Sequence, residues 1–198
     1  MKTWVVTGGA ATGKSSFCKA VLELEPAARL ASSDEIVHEL LTEAETARAV
    51  ACAFGTDVLE ESGEVNRAVL RTRVFASEEA RNKLESLLHP LVYARLGKAR
   101  DEAAAEGVQL FIAEIPLFYE GSRTFPADRV ILVAADDASQ LRRMMETRGL
   151  DAATAQLILA AQLPLARKLE LATTVVWNEG SLELLQSQAQ LLLQPTDP

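Results

Sequence analysis

Two rhythms of apolar and polar positions run along the chain. Lys2-Thr-Trp-Val-Val-Thr7 is a short β-branched apolar run, which predicts a strand buried on both faces. Ser16-Phe-Cys-Lys-Ala-Val-Leu22 follows at helical spacing until Glu25-Pro26 stops it, and Ala28–Ser33 reads as a second strand. From Glu35 to about Gly107 the rhythm is helical: Glu35–Leu41, Ala44–Phe54, Arg67–Phe75 after an Asn66 cap, and Glu78–Leu88 after Ser77. Pro90 then stands where a first-turn proline belongs, opening Leu91–Glu106, with Gly107 as its stop. Strands resume with Val108–Ala113, ending on Glu114, and continue with Arg129–Ala134 and Thr173–Trp177. Between the last two lie a helix from Ser139 to Arg148, closed by Gly149, and another from Asp151 to about Leu163. Ser181–Leu193 is a closing helix, and residues 194–198 read as frayed.

Strands alternating with helices predict an α/β fold: a five-stranded parallel sheet with flanking helices. A plain crossover between strands two and three needs one helix. This one is several helices long, so residues 34–107 are expected to form a helical substrate subdomain. The two helices of residues 139–163 face each other over a glycine turn and form a helical lid. The core is then residues 1–33, 108–138 and 164–198, all within one domain of 198 residues.

The chemistry is concentrated after the first strand. Gly8-Gly-Ala-Ala-Thr-Gly-Lys-Ser15 is G-x-x-x-x-G-K-S between a strand and a helix, the context a phosphate-binding loop requires and the mark of the P-loop NTPase fold. Its backbone N–H groups and the helix N-terminus would hold phosphate oxygens. Lys14 would neutralise the β- and γ-phosphates, and the Ser15 hydroxyl would ligate Mg²⁺. Asp34, just past the second strand, would stand near the loop as the base that accepts the acceptor's proton, as a helix cap, or as both. Glu114, an acid at the end of an apolar strand, suits the Mg²⁺ shell. Arg142, Arg143 and Arg148 could stabilise charge on the transferring phosphoryl group, or form a solvent-facing run.

Charge sharpens the reading of the insertion. Residues 67–100 carry eight bases and three acids, +5 inside a chain of net charge −8. They form either a solvated face or a landing surface for a polyanionic second substrate, since arginine forks suit phosphate oxygens. His38 and His89 lie in the insertion and, taken alone, are surface or packing residues. The net negative charge argues against a nucleic-acid or anionic-membrane partner. Cys18 and Cys52 form no C-x-x-C, so a reducing cytoplasm is expected. The opening residues run straight into the first strand, leaving no room for a cleavable signal. The longest apolar stretch, Leu157–Leu165, is too short to span a bilayer.

At this depth the chain resembles the dephospho-coenzyme A kinases nearly end to end. The likeness rests on Thr7–Ser16, Asp34-Glu-Ile-Val-His-Glu-Leu40, Phe54-Gly55, Gly63–Arg67, Leu70–Phe75, Ala80–Glu85 and His89-Pro90. It continues in Pro116-Leu-Phe-Tyr-Glu120, Gln140-Leu-Arg-Arg143, Ala161-Gln162 and Asn178-Glu-Gly180. The resemblance implies transfer of the ATP γ-phosphate to the ribose 3′-hydroxyl of dephospho-coenzyme A. It implies an ATP site of Gly9, Ala11, Thr12, Gly13, Lys14, Ser15, Ser16 and Asn178, with Asp34, Lys14 and Arg143 catalytic. Acceptor contacts would come from His89, Arg67, Arg71 and Arg81. Several positions depart from the pattern: Ala11 replaces a common glycine, Ser32 and Thr173 replace acids, and Glu114 replaces an aspartate. A nucleoside or nucleoside monophosphate kinase is the rival of the same class. A GTPase switch would need D-x-x-G, which is absent, and N-K-x-D, whose nearest match is Asn82-Lys-Leu-Glu85. Oligomeric state is left open.

Overall fold

In chain order the elements are β1 (Lys2–Thr7), α1 (Lys14–Leu24), β2 (Arg29–Ser32), α2 (Ser33–Thr42), α3 (Ala44–Phe54), α4 (Arg67–Ala76), α5 (Glu78–Ala105) and β3 (Leu110–Glu114). There follow β4 (Arg129–Ala134), α6 (Asp137–Arg148), α7 (Ala152–Ala160), α8 (Leu165–Leu171), β5 (Thr174–Trp177) and α9 (Leu182–Leu193). The computed structural model describes residues 1–121 and 124–194, with Phe75 and Ala76 by their backbone alone. The fraying expected over 195–198 lies outside the described residues. Two compact units emerge, Met1–Ala31 with Glu102–Pro198, and Ser32–Asp101.

The first unit holds a five-stranded sheet in the order β2-β3-β1-β4-β5. β1 runs parallel to both neighbours, with Val6 opposite Glu114 on one side and Ile131 on the other. Trp4, Val5 and Val6 are buried because helices cover both faces of a parallel sheet, which is why the strands read as continuous apolar runs. Phe17, Cys18 and Val21 of α1 pack with Trp4, Val6, Ile112 and Val133, and Leu185 and Ala189 of α9 join them. β4 and β5 pair in parallel from Ile131–Thr174 onward. Thr173 extends this ladder through its side chain: Oγ1 accepts the Val130 N–H and donates to the Val130 carbonyl, both at 2.9 Å. The chain runs from β1 to β2 on one side of it and from β3 to β4 on the other, so the carboxyl ends of β1 and β3 flank the topological switch point where α/β folds bind ligands.

The second unit is built from α2, α3, α4 and most of α5 around Leu41, Val50, Val58, Val65, Leu70 and Leu88. Asn66 caps α4 as expected, accepting from the Ala68 and Val69 N–H groups. Several bases of the positive segment are used within the unit. Arg73 bonds Asp57 and the Phe54 carbonyl, Arg95 meets Glu43 at 2.5 Å, and Lys83 donates to the Ala53 carbonyl at 2.7 Å.

Three expectations are corrected. Pro90 does not open a helix; it sits inside the 28-residue α5. Leu88, Val92 and Leu96 stand one turn apart and are all buried. Their burial is worth about 1.5–3 kcal/mol each, which together exceeds the roughly 3 kcal/mol cost of an interior proline. Asp34 is not a cap, because α2 begins at Ser33 with Ser32 at the N-cap. Asp34 instead lies in the first turn, where a carboxylate meets the positive helix end. Finally, the helix expected to run to about Leu163 ends at Ala160, and the chain after Pro164 forms α8, a helix not expected from the sequence.

Candidate active site

The loop between β1 and α1 gains its shape from two unusual backbones. Gly13 has φ 94° and a Cβ there would lie 2.1 Å from Asn178 Nδ2, so only glycine fits. Ala11 has φ 55°, the left-handed region, and is the single non-glycine residue there among the described residues. The glycine-to-alanine departure therefore falls where a side chain is strained. α1 starts at Lys14, so its first N–H groups have no partners within the helix itself.

Around this nest the site assembles within the first unit. Lys14 is buried and its Nζ donates to the Gly8 and Gly9 carbonyls at 3.1 and 2.9 Å. The Ser15 hydroxyl donates to Glu114 Oε1 at 2.9 Å, joining the two residues expected to hold metal. Glu114 is buried at the carboxyl end of β3. Thr12 is buried, its hydroxyl on the Gly9 carbonyl. Arg143 spans the loop, reaching the Ala11 carbonyl at 3.4 Å and the Asn178 carbonyl at 2.5 Å, while Asn178 Nδ2 donates to the Thr12 carbonyl at 2.8 Å. A cleft of about 390 Å³ opens beside them, lined by Gly13, Lys14, Ser15, Ser16, Arg143, Arg148 and Asn178, among others. Arg142, on the same helix, is exposed and does not line this cleft. Beneath the loop, burial and the nearby Glu114 carboxylate push the Cys18 thiol well above its usual range, so it is no nucleophile.

Sequence reasoning gave no role to four residues that shape this site. Gln162, after α7, accepts the Ala10 N–H at 3.0 Å, and buried Gln140 of α6 donates to the Ala135 carbonyl. Both amide oxygens crowd Gly9, where a Cβ would fall 2.3 Å from Gln140 Oε1 and 3.2 Å from Gln162 Oε1. Lys168 is buried against Glu120 at 2.7 Å, and Glu120 also accepts the Leu163 N–H. These pairings join segments far apart in the chain, so spacing carries no signal for them; only the family motifs containing Gln140, Gln162 and Glu120 marked those positions.

The remaining candidates lie in the second unit. Asp34 is exposed on α2. Arg67 donates to His38 Nδ1 at 2.5 Å. His89 is half-buried on α5, as is Arg81, and Arg71 is exposed on α4. Among the described residues neither Arg71 nor Arg81 has an acidic partner.

Comparison with known proteins agrees with this architecture. The family model described as Dephospho-CoA kinase matches residues 4–183. The curated dephospho-CoA kinase of Geobacillus kaustophilus is 34% identical over 193 residues, covering 97% of this chain and 95% of that one. Among solved structures, TT1252 from Thermus thermophilus superposes with a TM-score of 0.80 at 26% identity, covering 97% of this chain and 96% of that one. The dephospho-CoA kinase from Campylobacter jejuni gives a TM-score of 0.69 at 26% identity, with 98% and 96% covered. Phosphate loop, sheet order and near full-length likeness agree, and the chain belongs to the dephospho-CoA kinase family.

Proposed function

We propose that the residues around the phosphate loop divide between them the work of one phosphoryl transfer. The chain is an enzyme of coenzyme A biosynthesis, transferring the γ-phosphoryl group of ATP to the ribose 3′-hydroxyl of dephospho-coenzyme A. The 3′-oxygen bonds to the γ-phosphorus, the bond from that phosphorus to the β,γ-bridging oxygen breaks, and ADP leaves. The observation that carries the local reading is the Ser15–Glu114 hydrogen bond beside the loop, a hydroxyl and a carboxylate in contact.

That pair fits Mg²⁺, a hard cation usually held by one or two carboxylates together with substrate phosphates. Ser15 and Glu114 would hold it, and it would supply neutralisation of charge on the β- and γ-phosphates. Lys14, Gly13 and the N–H groups of Ser15 and Ser16 bind those phosphates, with Gly9, Ala11 and Thr12 setting the loop's path. Arg143 is held by two neutral carbonyls and, among the described residues, by no carboxylate, so its charge remains for the transition state. Arg142 and Arg148 ride with it on residues 139–163, the proposed lid. Asn178 borders the base of ATP.

Asp34 accepts the 3′-hydroxyl proton, and its exposed carboxylate is open to substrate. His89, Arg67, Arg71 and Arg81 meet the acceptor, whose pyrophosphate suits the +5 segment of residues 67–100. No described helix is long and apolar enough to cross a membrane. Cytoplasmic residence is part of the same proposal, and the free Cys18 and Cys52 suit a reducing compartment. The test is ADP release with dephospho-coenzyme A, adenosine, AMP and CMP in parallel. Turnover with dephospho-coenzyme A alone is expected; preference for AMP or CMP would overturn the acceptor assignment.

A further inference from the structure

We propose that Glu179 is a positioning residue that fixes the wall against which the base of ATP rests. Its two carboxylate oxygens are both spoken for by the start of α6. Oε1 accepts the Asp136 N–H and Oε2 accepts the Ser139 hydroxyl, each at 2.6 Å. Asp136 in turn caps α6 by accepting the Ser139 N–H at 2.6 Å. One helical turn further on, Arg143 donates to the carbonyl of Asn178, the residue next to Glu179. α6 thus presents Ser139 and Arg143 from one face to two adjacent residues of the same turn. The Asn178 N–H reaches the Ala134 carbonyl and its side chain the Thr12 carbonyl, both at 2.8 Å. Gly180 closes the turn so tightly that a Cβ there would meet Leu184 Cδ2 at 2.6 Å.

This inference rests on the reading of the 390 Å³ cleft as the ATP site. With phosphates seated at Gly13–Ser16, the base would rest among the other lining residues, Thr147, Arg148, Asn178 and Leu182. Glu179 does not line the cleft, so it acts through the turn rather than on the nucleotide. Replacing it by alanine removes both anchors. Glutamine keeps both by reversing one, its oxygen accepting from Asp136 and its NH₂ donating to the Ser139 hydroxyl. The anchors govern the base and not the phosphates, which are bound by the loop.

The experiment is calorimetric titration of the enzyme, without acceptor, by ATP, GTP and inorganic tripolyphosphate. Glu179→Ala should weaken ATP by about tenfold, the scale of one lost charge-assisted hydrogen bond. Tripolyphosphate should change less than twofold, the ratio of ATP to GTP affinity should move toward one, and Glu179→Gln should stay within threefold of the parent. Unchanged ATP affinity in Glu179→Ala would overturn the proposal, as would equal losses for ATP and tripolyphosphate. Failure of the parent enzyme to bind ATP would instead overturn the reading of the cleft, and this proposal with it.

Discussion

The Ser15 hydroxyl donates to Glu114 Oε1 at 2.9 Å, joining the end of the phosphate loop to the end of the neighbouring strand. The glutamate side chain closes this contact directly. Glu114→Gln keeps an acceptor for Ser15 but removes the charge. Mg²⁺ half-saturation in the kinase assay should rise by about 10–100-fold, the range for residues that orient or charge a metal site. An unchanged Mg²⁺ titration would take Glu114 out of the metal shell.

Ala11 at φ 55° gives a second test, this one of stability. A left-handed alanine costs about 1–2 kcal/mol, and glycine's extra freedom in the unfolded chain gives back part of the relief. Ala11→Gly should therefore stabilise by roughly 0.5–1 kcal/mol and raise Tm by about 1–4 °C in a chain of this size. A lower Tm would show that the loop prefers the alanine.

Lys14 donates to two buried carbonyls, so its removal must affect the fold as well as the chemistry. Lys14→Met should abolish ADP release while lowering Tm by several degrees, since the buried Gly8 carbonyl loses its Lys14 donor at a cost of about 1–3 kcal/mol, whereas the Gly9 carbonyl keeps the Thr12 hydroxyl. ATP at a hundred times its Kd stabilises a binder by about 2.7 kcal/mol. The parent should show that shift and the variant should not. More than a tenth of the parental kcat would remove Lys14 from the mechanism.

Asp34 stands in the first turn of α2, past the N-cap position, so its remaining roles can be separated. The helix-dipole contribution lost in Asp34→Asn is about 0.3–1 kcal/mol of stability. Loss of a general base would lower kcat by about 10²–10⁴-fold, with ATP affinity retained. A kcat decrease under threefold would leave only the electrostatic role, and recovery at high Mg²⁺ would assign Asp34 to the metal.

Arg71 and Arg81 stand apart from the bases that the second unit uses internally. Exchanging both for glutamine should raise the KM for dephospho-coenzyme A without changing that for ATP. In the parent, salt should raise the acceptor KM more steeply than the ATP KM, because exposed charges are screened over about 8–10 Å. Equal salt dependence would return this segment to a solvated face.

Local patterns were legible wherever one signal dominated. α3 and β4 begin and end where the apolar spacing places them, and Asn66 caps α4. Pro90 misled because proline's local penalty was read without the continuous Leu88–Val92–Leu96 face that outweighs it. α8 was missed because Pro164 was taken as an end, although a proline is equally suited to a helix start. The loop, Ser15 and Glu114 were legible because strand ends and glycine spacing are local facts. The contacts of Gln162 and Glu179 were not, since each depends on where a distant helix comes to rest.

The buried thiol beneath the phosphate loop has a practical consequence. Cys18 is fully covered and held as a neutral thiol, whereas Cys52, the other cysteine of the chain, is exposed on α3. Maleimide reagents react with accessible thiolate, so the native sequence already carries a one-site labelling handle. A fluorophore on Cys52 tags the helical unit without mutagenesis and leaves the catalytic loop chemically untouched.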